Sequence, residues 1–176
     1  MVPRAEGRVL EVGIGAGLNL PFYLPERVRE VVGVDPSAPL LERARQRATE
    51  TRVPVSFVRA SAERLPLDAQ SFDSVVLTYT LCSVERPTAA LAEMRRVLRP
   101  GGRLYFVEHG ASPDASVARW QRLITPVWRR VGGNCHLTRD VAREMSAAGF
   151  EIEESKAGYA GDGVKWLSFT YEGVAR

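Results

Sequence analysis

A glycine-rich segment follows an apolar stretch and one acid near the start of the chain, in the order Val9-Leu10-Glu11-Val12-Gly13-Ile14-Gly15-Ala16-Gly17. Glycines at this spacing let the backbone take positive φ and let a ligand approach the main chain closely. Glu11 offers a carboxylate to a cationic or hydroxyl-bearing ligand. The pattern differs from the G-x-G-x-x-G turn that binds a dinucleotide pyrophosphate, because the third glycine comes one residue early and Glu11 would repel phosphate. The segment therefore predicts a site for a small cofactor without phosphate.

A second acid, Asp35, ends the next apolar run, Val31-Val32-Gly33-Val34. An acid at the end of this strand can bind both hydroxyls of a ribose. Taken alone, such an aspartate is more often a cap for the helix that begins near Ser37. Together with the glycine turn and Glu11, Asp35 favours a cofactor that carries a ribose.

With these residues the sequence resembles the class I S-adenosylmethionine-dependent methyltransferases, whose first motif reads acid-x-Gly-x-Gly-x-Gly and whose second strand ends in an acid. Residues 72–77, 94–102 and 103–109 match the fourth strand, the fourth helix and the fifth strand of that family. The resemblance extends from about residue 8 to the C-terminus. It implies S-adenosylmethionine as the methyl donor, S-adenosylhomocysteine as the product, and a Rossmann-like α/β three-layer sandwich. The sheet is expected to have seven mostly parallel strands with an antiparallel C-terminal strand.

The resemblance also implies which residues hold the cofactor. In the family, the loop after the third strand holds the adenine, and many members have Asp where this chain has Ser61. Glu63 is the expected substitute for that contact. The cofactor-binding residues implied in this way are Glu11, Gly13, Gly15, Gly17, Asn19, Asp35, Pro36, Ser61, Ala62, Glu63 and Thr78.

Four segments carry a closer resemblance to the thiol S-methyltransferase branch and its bacterial relatives, which lies near the quinone and phospholipid methyltransferases. They are residues 81–84, 107–109, 120–128 and 133–139. His109 is the predicted base or orienting group, with a surface histidine as the alternative. The predicted substrate-binding residues are Tyr79, Cys82, Trp120 and His136. Apart from this role, Cys82 and Cys135 are expected to be small buried hydrophobic residues.

Short apolar runs alternate with helical patterns, which is typical of βαβ units in a parallel sheet. The predicted strands cover residues 8–13, 29–34, 55–59, 72–77, 103–108, 151–156 and 164–172. Helical spacing predicts helices around Leu40–Ala48 and from Pro87 to Leu98, the second ending at the Pro-Gly-Gly of residues 100–102. Thr138 is the predicted N-cap of a last helix that ends before Gly149. A hairpin is expected around residues 158–163.

The segment from Ser112 to Val131 reads as an amphipathic helix, which Pro126 should kink or split. Its apolar stripe includes Trp120 and Trp128, with arginines on the opposite face. The simplest interpretation is that the stripe faces the core. A lid over the substrate and a helix on a membrane surface are the alternatives.

Size and composition restrict the remaining choices. A chain of 176 residues is expected to form one domain, here a methyltransferase domain without most of the usual N-terminal helical cap. No apolar run approaches the about 18 residues of a membrane span, and the N-terminus has no signal-peptide core, so a cytoplasmic location is expected.

The net charge of +3 is spread without Lys/Arg runs, which disfavours nucleic-acid binding. Two cysteines without a C-x-x-C spacing predict no metal site and reduced thiols.

We predict a methyltransferase that acts on a small, partly apolar acceptor, with a thiol as one candidate. The absence of an Asn-Pro-Pro-aromatic motif after the fourth strand argues against exocyclic amines of nucleic-acid bases. A quinone or phospholipid methyltransferase is the nearest alternative. A non-catalytic S-adenosylmethionine-binding module and a nicotinamide-dependent oxidoreductase are alternatives from other classes. The sequence leaves the oligomeric state open.

Overall fold

The computed structural model describes residues 1–161 and 163–176 and contains one seven-stranded sheet with the strand order β3-β2-β1-β4-β5-β7-β6. The strands are β1 (Gly7–Val12), β2 (Val28–Val34), β3 (Val55–Val58), β4 (Phe72–Thr78), β5 (Leu98–His109), β6 (Ile152–Tyr159) and β7 (Phe169–Ala175). β7 pairs antiparallel with both β5 and β6, whereas the pairs among β1 to β5 are parallel. The predicted Rossmann-like α/β fold with an antiparallel C-terminal strand is confirmed.

Within the described residues, five α-helices surround the sheet: α1 (Ala38–Ala48), α2 (Pro87–Val97), α3 (Ala115–Val131), α4 (Val141–Ala147) and α5 (Lys165–Ser168). Successive side chains of each strand point to opposite faces. Leu10 and Val12 of β1 therefore join a core with α2 and α4, while Val9 joins a second core with Leu41 of α1. The central strands are therefore buried on both faces, as a parallel sheet requires, whereas the edge strand β6 is mostly exposed. No helix within residues 1–161 and 163–176 is long and apolar enough to cross a bilayer.

Three predicted boundaries are wrong. The strand expected at 164–172 is one helical turn, α5, followed by β7; in α5 Trp166 packs edge-on against Trp128, with ring centroids 5.6 Å apart. β5 begins at Leu98 rather than at residue 103. The N-cap of α4 is Asp140 and not Thr138, because the Asp140 carboxylate accepts from the Arg143 N–H in the first turn of the helix. The expected hairpin joins β6 and β7, but its turn includes residue 162, which lies outside the described residues.

Helix α3 differs most from its prediction. It is continuous, so Pro126 does not split it. The backbone bond that Pro126 lacks would end on the Arg122 carbonyl, and both residues are exposed, so water can replace it. The predicted core-facing stripe is correct only in part. Val117 is buried, and Ile124 and Trp128 pack against a small buried cluster, but the other buried positions are the polar residues Gln121 and Thr125. Gln121 is held by hydrogen bonds to the Ser112 N–H and the carbonyls of Gly110 and Trp166.

Four other apolar residues of α3 form an exposed stripe, which consists of Trp120, Leu123, Val127 and Val131 with exposures between 59% and 75%. Spacings of three and four residues place them on one side of the helix. Arg119, Arg122, Arg129 and Arg130 are also exposed along this helix. The exposed stripe is therefore an apolar surface accompanied by positive charge.

Candidate active site

The glycine turn after β1 has the backbone conformation that its sequence predicts. Gly13, Gly15 and Gly17 have φ values of 72°, 54° and 76°. The Gly13 N–H donates to the Val34 carbonyl at 2.8 Å, which holds the turn against the end of β2. A Cβ at Gly13 would overlap the side chain of Thr80. Gly13 is therefore required both for its conformation and for the close approach of the loop after β4.

Asp35 lies at the end of β2, and its carboxylate joins two loops. One oxygen accepts from the Gly15 N–H at 3.0 Å and the other from the Ser37 N–H at 2.8 Å. The side chain is 7% exposed. Asp35 is therefore not the N-cap of α1, which is Ser37, but it holds the segment before that helix close to the glycine turn. Each carboxylate oxygen still has acceptor capacity for a ribose hydroxyl.

Glu11 is 1% exposed and sits beneath the turn. Its two oxygens accept from the Asn19 amide and the Tyr23 hydroxyl, both at 2.8 Å, and the same Asn19 amide donates to the Thr78 hydroxyl. Burial raises the pKa of Glu11 to about 7, although both hydrogen bonds oppose the shift. Glu11, Asn19 and Thr78 form one buried network that supports the turn from behind.

The loop after β3 is fixed by Glu63. One of its oxygens accepts from the Ser61 hydroxyl, and the other accepts from the Glu85 and Arg86 N–H groups at 3.1 and 3.3 Å. Burial acts to raise the pKa of Glu63, but these hydrogen bonds outweigh it and lower the pKa. Because both oxygens are engaged, Glu63 ties the loop after β3 to the segment before α2.

A cavity of about 570 Å³ lies over the carboxyl ends of β1, β2 and β3. Seven predicted site residues line it: Gly13, Asp35, Pro36, Ser61, Ala62, Glu63 and Tyr79. The other predicted site residues are not among its lining residues: Glu11, Gly15, Gly17, Asn19, Thr78, Cys82, His109, Trp120 and His136. Residues that the sequence analysis did not assign to the site complete the lining, among them Leu40, Thr80, Ser83, Val84, Glu85 and Gly133.

Glu108 organises the loop after β4, a role that the sequence analysis did not assign. Its carboxylate is fully buried and accepts from three successive N–H groups, those of Thr80, Leu81 and Cys82, at 2.7 to 3.2 Å. Burial raises the pKa of Glu108 to about 7 against the effect of these bonds. The loop also contains Tyr79 with a φ of 49°, a strained value for a residue with a side chain. Strain of this kind is common at functional sites.

Cys82, His109 and Cys135 meet in a cluster, here called the Cys-His-Cys cluster. Their ligand-type atoms all lie within 4.8 Å of one another, and Cys135 Sγ is 3.8 Å from His109 Nδ1. Contact between the thiols raises the pKa of Cys82 and lowers that of Cys135 to about 5. The Tyr79 ring, which lines the cavity, lies 4.6 Å from the His109 ring. The cluster therefore adjoins the cavity.

The segment from Gly132 to Arg139 covers this cluster. The His136 N–H donates to the Cys82 carbonyl at 2.7 Å, and the Asn134 amide donates to the Ser83 carbonyl at 2.9 Å. Arg139 also donates to the Cys82 carbonyl. Burial lowers the pKa of His136, with Arg139 and Arg129 adding to the effect. His136 thus contributes a backbone contact beside the cluster, while Trp120 lies on the exposed stripe of α3.

Comparison with known proteins agrees with this geometry. A family model described as "Methyltransferase domain" matches residues 10–106, more than half of the chain. The rat protein "Thiol S-methyltransferase TMT1B" is 37% identical over 166 residues, which cover 92% of this chain and 66% of the rat protein. The "Phosphatidylethanolamine N-methyltransferase" of Cereibacter sphaeroides is 38% identical over 120 residues, covering 67% of this chain and 58% of that protein.

Among solved structures, the YcgJ protein of Bacillus subtilis superimposes with a TM-score of 0.76 and 22% identity, covering 98% of this chain and 92% of that one. This similarity supports the fold. The chain spans less than two thirds of the length of the two curated relatives. The family model and the 37% identity across 92% of the sequence establish its relationship. The chain belongs to the class I S-adenosylmethionine-dependent methyltransferase family.

Proposed function

We propose that this protein transfers the methyl group of S-adenosylmethionine to the thiol of a small, partly apolar acceptor. The observation that carries the proposal is the continuity of the site: Tyr79 lines the cavity that contains Gly13 and Asp35, and the same ring lies against His109. A cofactor cavity and a titratable group for the acceptor are thus separated by one side chain. The thiol acceptor is also the chemistry named for the rat relative.

The residues around the cavity suit an adenosyl group without phosphate. Asp35 places two carboxylate oxygens at the ribose position, and Ala62 offers a buried apolar contact in the loop that holds the adenine in this family. Because Glu63 is committed to Ser61 and to two N–H groups, we expect it to shape the adenine loop and not to replace the missing Asp. Glu11, Asn19 and Thr78 are expected to act through the shape of the turn.

The main task of the protein in this reaction is to position the two reactants. Bound S-adenosylmethionine supplies a methyl group already activated by its sulfonium charge. The protein must hold the acceptor sulfur in line with that methyl group in a site shielded from water. A thiol is a few per cent ionised at neutral pH, so a weak base is sufficient. His109 is the group placed to accept the thiol proton or to orient the acceptor, and its ring is half-buried.

An acceptor panel tests the proposal. The purified protein is incubated with S-adenosylmethionine and an aryl thiol, an alkyl thiol, phosphatidylethanolamine vesicles or a reduced quinone, and release of S-adenosylhomocysteine is measured. We expect release with the thiols. His109→Ala should lower turnover by about 100-fold or more while the affinity for S-adenosylhomocysteine stays unchanged. The absence of release with every thiol, in a protein that binds the cofactor, would refute the thiol assignment.

The exposed stripe of α3 favours one second candidate, an amine on a phospholipid. Tryptophan and aliphatic residues beside arginines are typical of helices that lie in the interface of an anionic membrane. The Cereibacter relative bears the name of a phospholipid methyltransferase. In the acceptor panel, release with phosphatidylethanolamine vesicles and none with thiols would select this candidate.

A further inference from the structure

We propose that the Cys-His-Cys cluster binds one Zn²⁺ ion through Cys82 Sγ, His109 Nδ1 and Cys135 Sγ, and that the fourth coordination position takes the thiolate of the acceptor. The first part of the proposal, metal binding, is argued from the Cys-His-Cys cluster and does not depend on the proposed function. The second part, binding of the acceptor thiolate to the metal, rests on the proposed function and is called the acceptor half below. The proposal departs from the expectation of no metal, which rested on the absence of a C-x-x-C pair and on the presence of only two histidines in the sequence.

The geometry of the cluster is close to that of a zinc site. Tetrahedral zinc has Zn–S bonds of about 2.3 Å and Zn–N bonds of about 2.0–2.1 Å, which place neighbouring ligand atoms about 3.4–3.8 Å apart. Here Cys135 Sγ and His109 Nδ1 are 3.8 Å apart, and all three atoms lie within 4.8 Å of one another. Side-chain shifts of about 1 Å or less would close the site. Two thiolates and an imidazole form a ligand set that zinc prefers.

The three ligands come from separate parts of the chain, and each is positioned by its own contacts. Cys82 follows β4, on a loop that Glu108 holds through three N–H groups. His109 ends β5, and its ring is packed by Tyr79. Cys135 lies in the segment after α3, which hydrogen bonds fasten to the Cys82 and Ser83 carbonyls. Such support of the ligands favours metal binding, because little ordering remains to be done.

A buried polar atom also points to this site. Trp128 Nε1 is buried and has no partner at full hydrogen-bond geometry among residues 1–161 and 163–176, but it lies near Cys135 and helps to lower the pKa of that thiol. Trp128 packs in the same small cluster as Cys82 and Cys135. A sulfur that keeps full negative charge as a metal ligand would accept this N–H, whereas a neutral thiol is a weak acceptor. Zinc binding would thus satisfy a group that is otherwise costly to bury.

Three protein ligands leave one position open, which is characteristic of catalytic zinc sites and not of structural ones. Glu108 cannot fill the position, since its oxygens are occupied by the three N–H groups. When the acceptor thiol binds the metal, its S–H proton leaves to solvent and the sulfur remains a thiolate. A sulfur electron pair then forms the S–CH₃ bond as the bond between that methyl carbon and the sulfonium breaks, and its electrons stay on the sulfur of S-adenosylhomocysteine. In this arrangement His109 is a metal ligand in place of the base described under the proposed function, because binding to the metal already removes the thiol proton.

Cobalt titration tests the metal half without any methyl transfer. The protein, reduced with a phosphine and kept free of oxygen, is titrated with Co²⁺. We expect one equivalent to bind, with a thiolate-to-cobalt charge-transfer band that Zn²⁺ abolishes. Cys82→Ser, Cys135→Ser and His109→Ala should each weaken binding by about 100-fold or more, beyond the usual effect of supporting residues. His136→Ala is the matched control, because it removes the neighbouring histidine but no ligand, and it should bind cobalt normally.

Binding of S-adenosylhomocysteine by calorimetry shows that each variant is folded. No charge-transfer band in the reduced protein, or an unchanged band in Cys135→Ser, would overturn the metal site. A Cys82–Cys135 disulfide found by mass spectrometry before reduction, with no cobalt bound afterwards, would identify a redox pair instead.

The acceptor half has its own readout. An aryl thiol added to the cobalt protein without S-adenosylmethionine should shift the cobalt spectrum, whereas the corresponding methyl thioether should not. If cobalt binds but the aryl thiol does not shift its spectrum, the acceptor half is overturned and the metal has only a structural role. A shift without any S-adenosylhomocysteine release in the complete assay would instead count against the proposed function.

Discussion

The cofactor side and the acceptor side of this site are built in different ways. The proposed cofactor side consists of the glycine turn, Asp35 and the loop at residues 60–63, and its shape follows from the backbone at the ends of three adjacent parallel strands. The proposed acceptor side consists of the loop after β4, His109, α3 and the segment from Gly132 to Arg139. Its parts are held together by contacts between side chains and carbonyls that lie far apart in the sequence.

This difference explains where each side tolerates change. The cofactor side depends on glycine conformations and on bonds between the Asp35 carboxylate and backbone N–H groups. The acceptor side depends on packing and on buried polar groups such as Glu108, and it can be altered to fit another acceptor while the cofactor side stays the same. We therefore expect substitutions on the two sides to separate cofactor affinity from acceptor turnover.

Gly13→Ala should have the largest effect and acts on the cofactor side. The new Cβ would overlap Thr80, and the φ of 72° would be strained for alanine. We expect binding of S-adenosylhomocysteine to become unmeasurable by calorimetry. Gly101→Ala is the matched control, because Gly101 also has a positive φ of 80° but no atom within 4 Å of its added Cβ. It should lower stability by about 1–2 kcal/mol and leave affinity unchanged. Equal losses of affinity in the two variants would contradict the role of the close approach.

Glu11 gives the cofactor side a pH dependence. Its pKa is raised by burial from 4.5 to about 7, so the folded protein binds more protons than the unfolded chain between these values. The contribution of Glu11 to the free energy of unfolding should therefore be fully present below pH 4.5 and should be lost as the pH rises through 7. The full shift corresponds to about 3 kcal/mol.

Denaturant unfolding of wild type and Glu11→Gln at pH 5 and pH 8 measures this contribution. The stability of the variant relative to wild type should increase by about 2–3 kcal/mol between the two pH values. Glu108 has a similar shift and is present in both proteins, so it cancels in the comparison. Tyr23→Phe removes a hydrogen bond that lowers the pKa of Glu11 and should make the pH dependence steeper. Parallel stability curves for wild type and Glu11→Gln would show that Glu11 does not titrate in this range.

Asp35→Ala should weaken binding of S-adenosylmethionine by about 1.5–3 kcal/mol through loss of a charge-assisted contact. Because Asp35 also accepts from Gly15 and Ser37, some destabilisation is expected as well. Asp114→Ala provides the comparison: that aspartate caps α3 through the Ser116 and Val117 N–H groups and is not among the cavity-lining residues. It should lower the melting temperature but not the affinity. An unchanged affinity of Asp35→Ala in calorimetry would remove Asp35 from the site.

The signals for the proposed cofactor side are local in the sequence. The glycine spacing, the acid at the end of β2 and the alternation of strands and helices each reflect neighbours within a few residues, and two residues that they single out, Gly13 and Asp35, line the cavity. The acceptor side lacks such signals. From the sequence alone Cys135 is expected to be a small buried residue, and only the fold shows that it lies beside His109. No sequence periodicity indicates that the Glu108 carboxylate accepts from three N–H groups. In α3 the hydrophobic pattern itself was misleading, because Gln121 and Thr125 are buried through hydrogen bonds and the apolar stripe faces outward.

Trp120→Ala should have the smallest effect and separates the exposed stripe from the acceptor side proper. Trp120 is 59% exposed, so its replacement should change the free energy of unfolding by no more than about 0.5 kcal/mol. It should leave the affinity for S-adenosylhomocysteine unchanged and raise the Michaelis constant several-fold only for an acceptor presented on anionic vesicles, where the stripe and its arginines would contact the surface. Trp128→Ala is the contrasting variant, because Trp128 packs against Trp166 beside the Cys-His-Cys cluster. It should destabilise the protein by about 2 kcal/mol and slow turnover with a soluble thiol. If Trp120→Ala instead impaired turnover with the soluble thiol as much as Trp128→Ala does, the outer face of α3 would belong to the acceptor side after all.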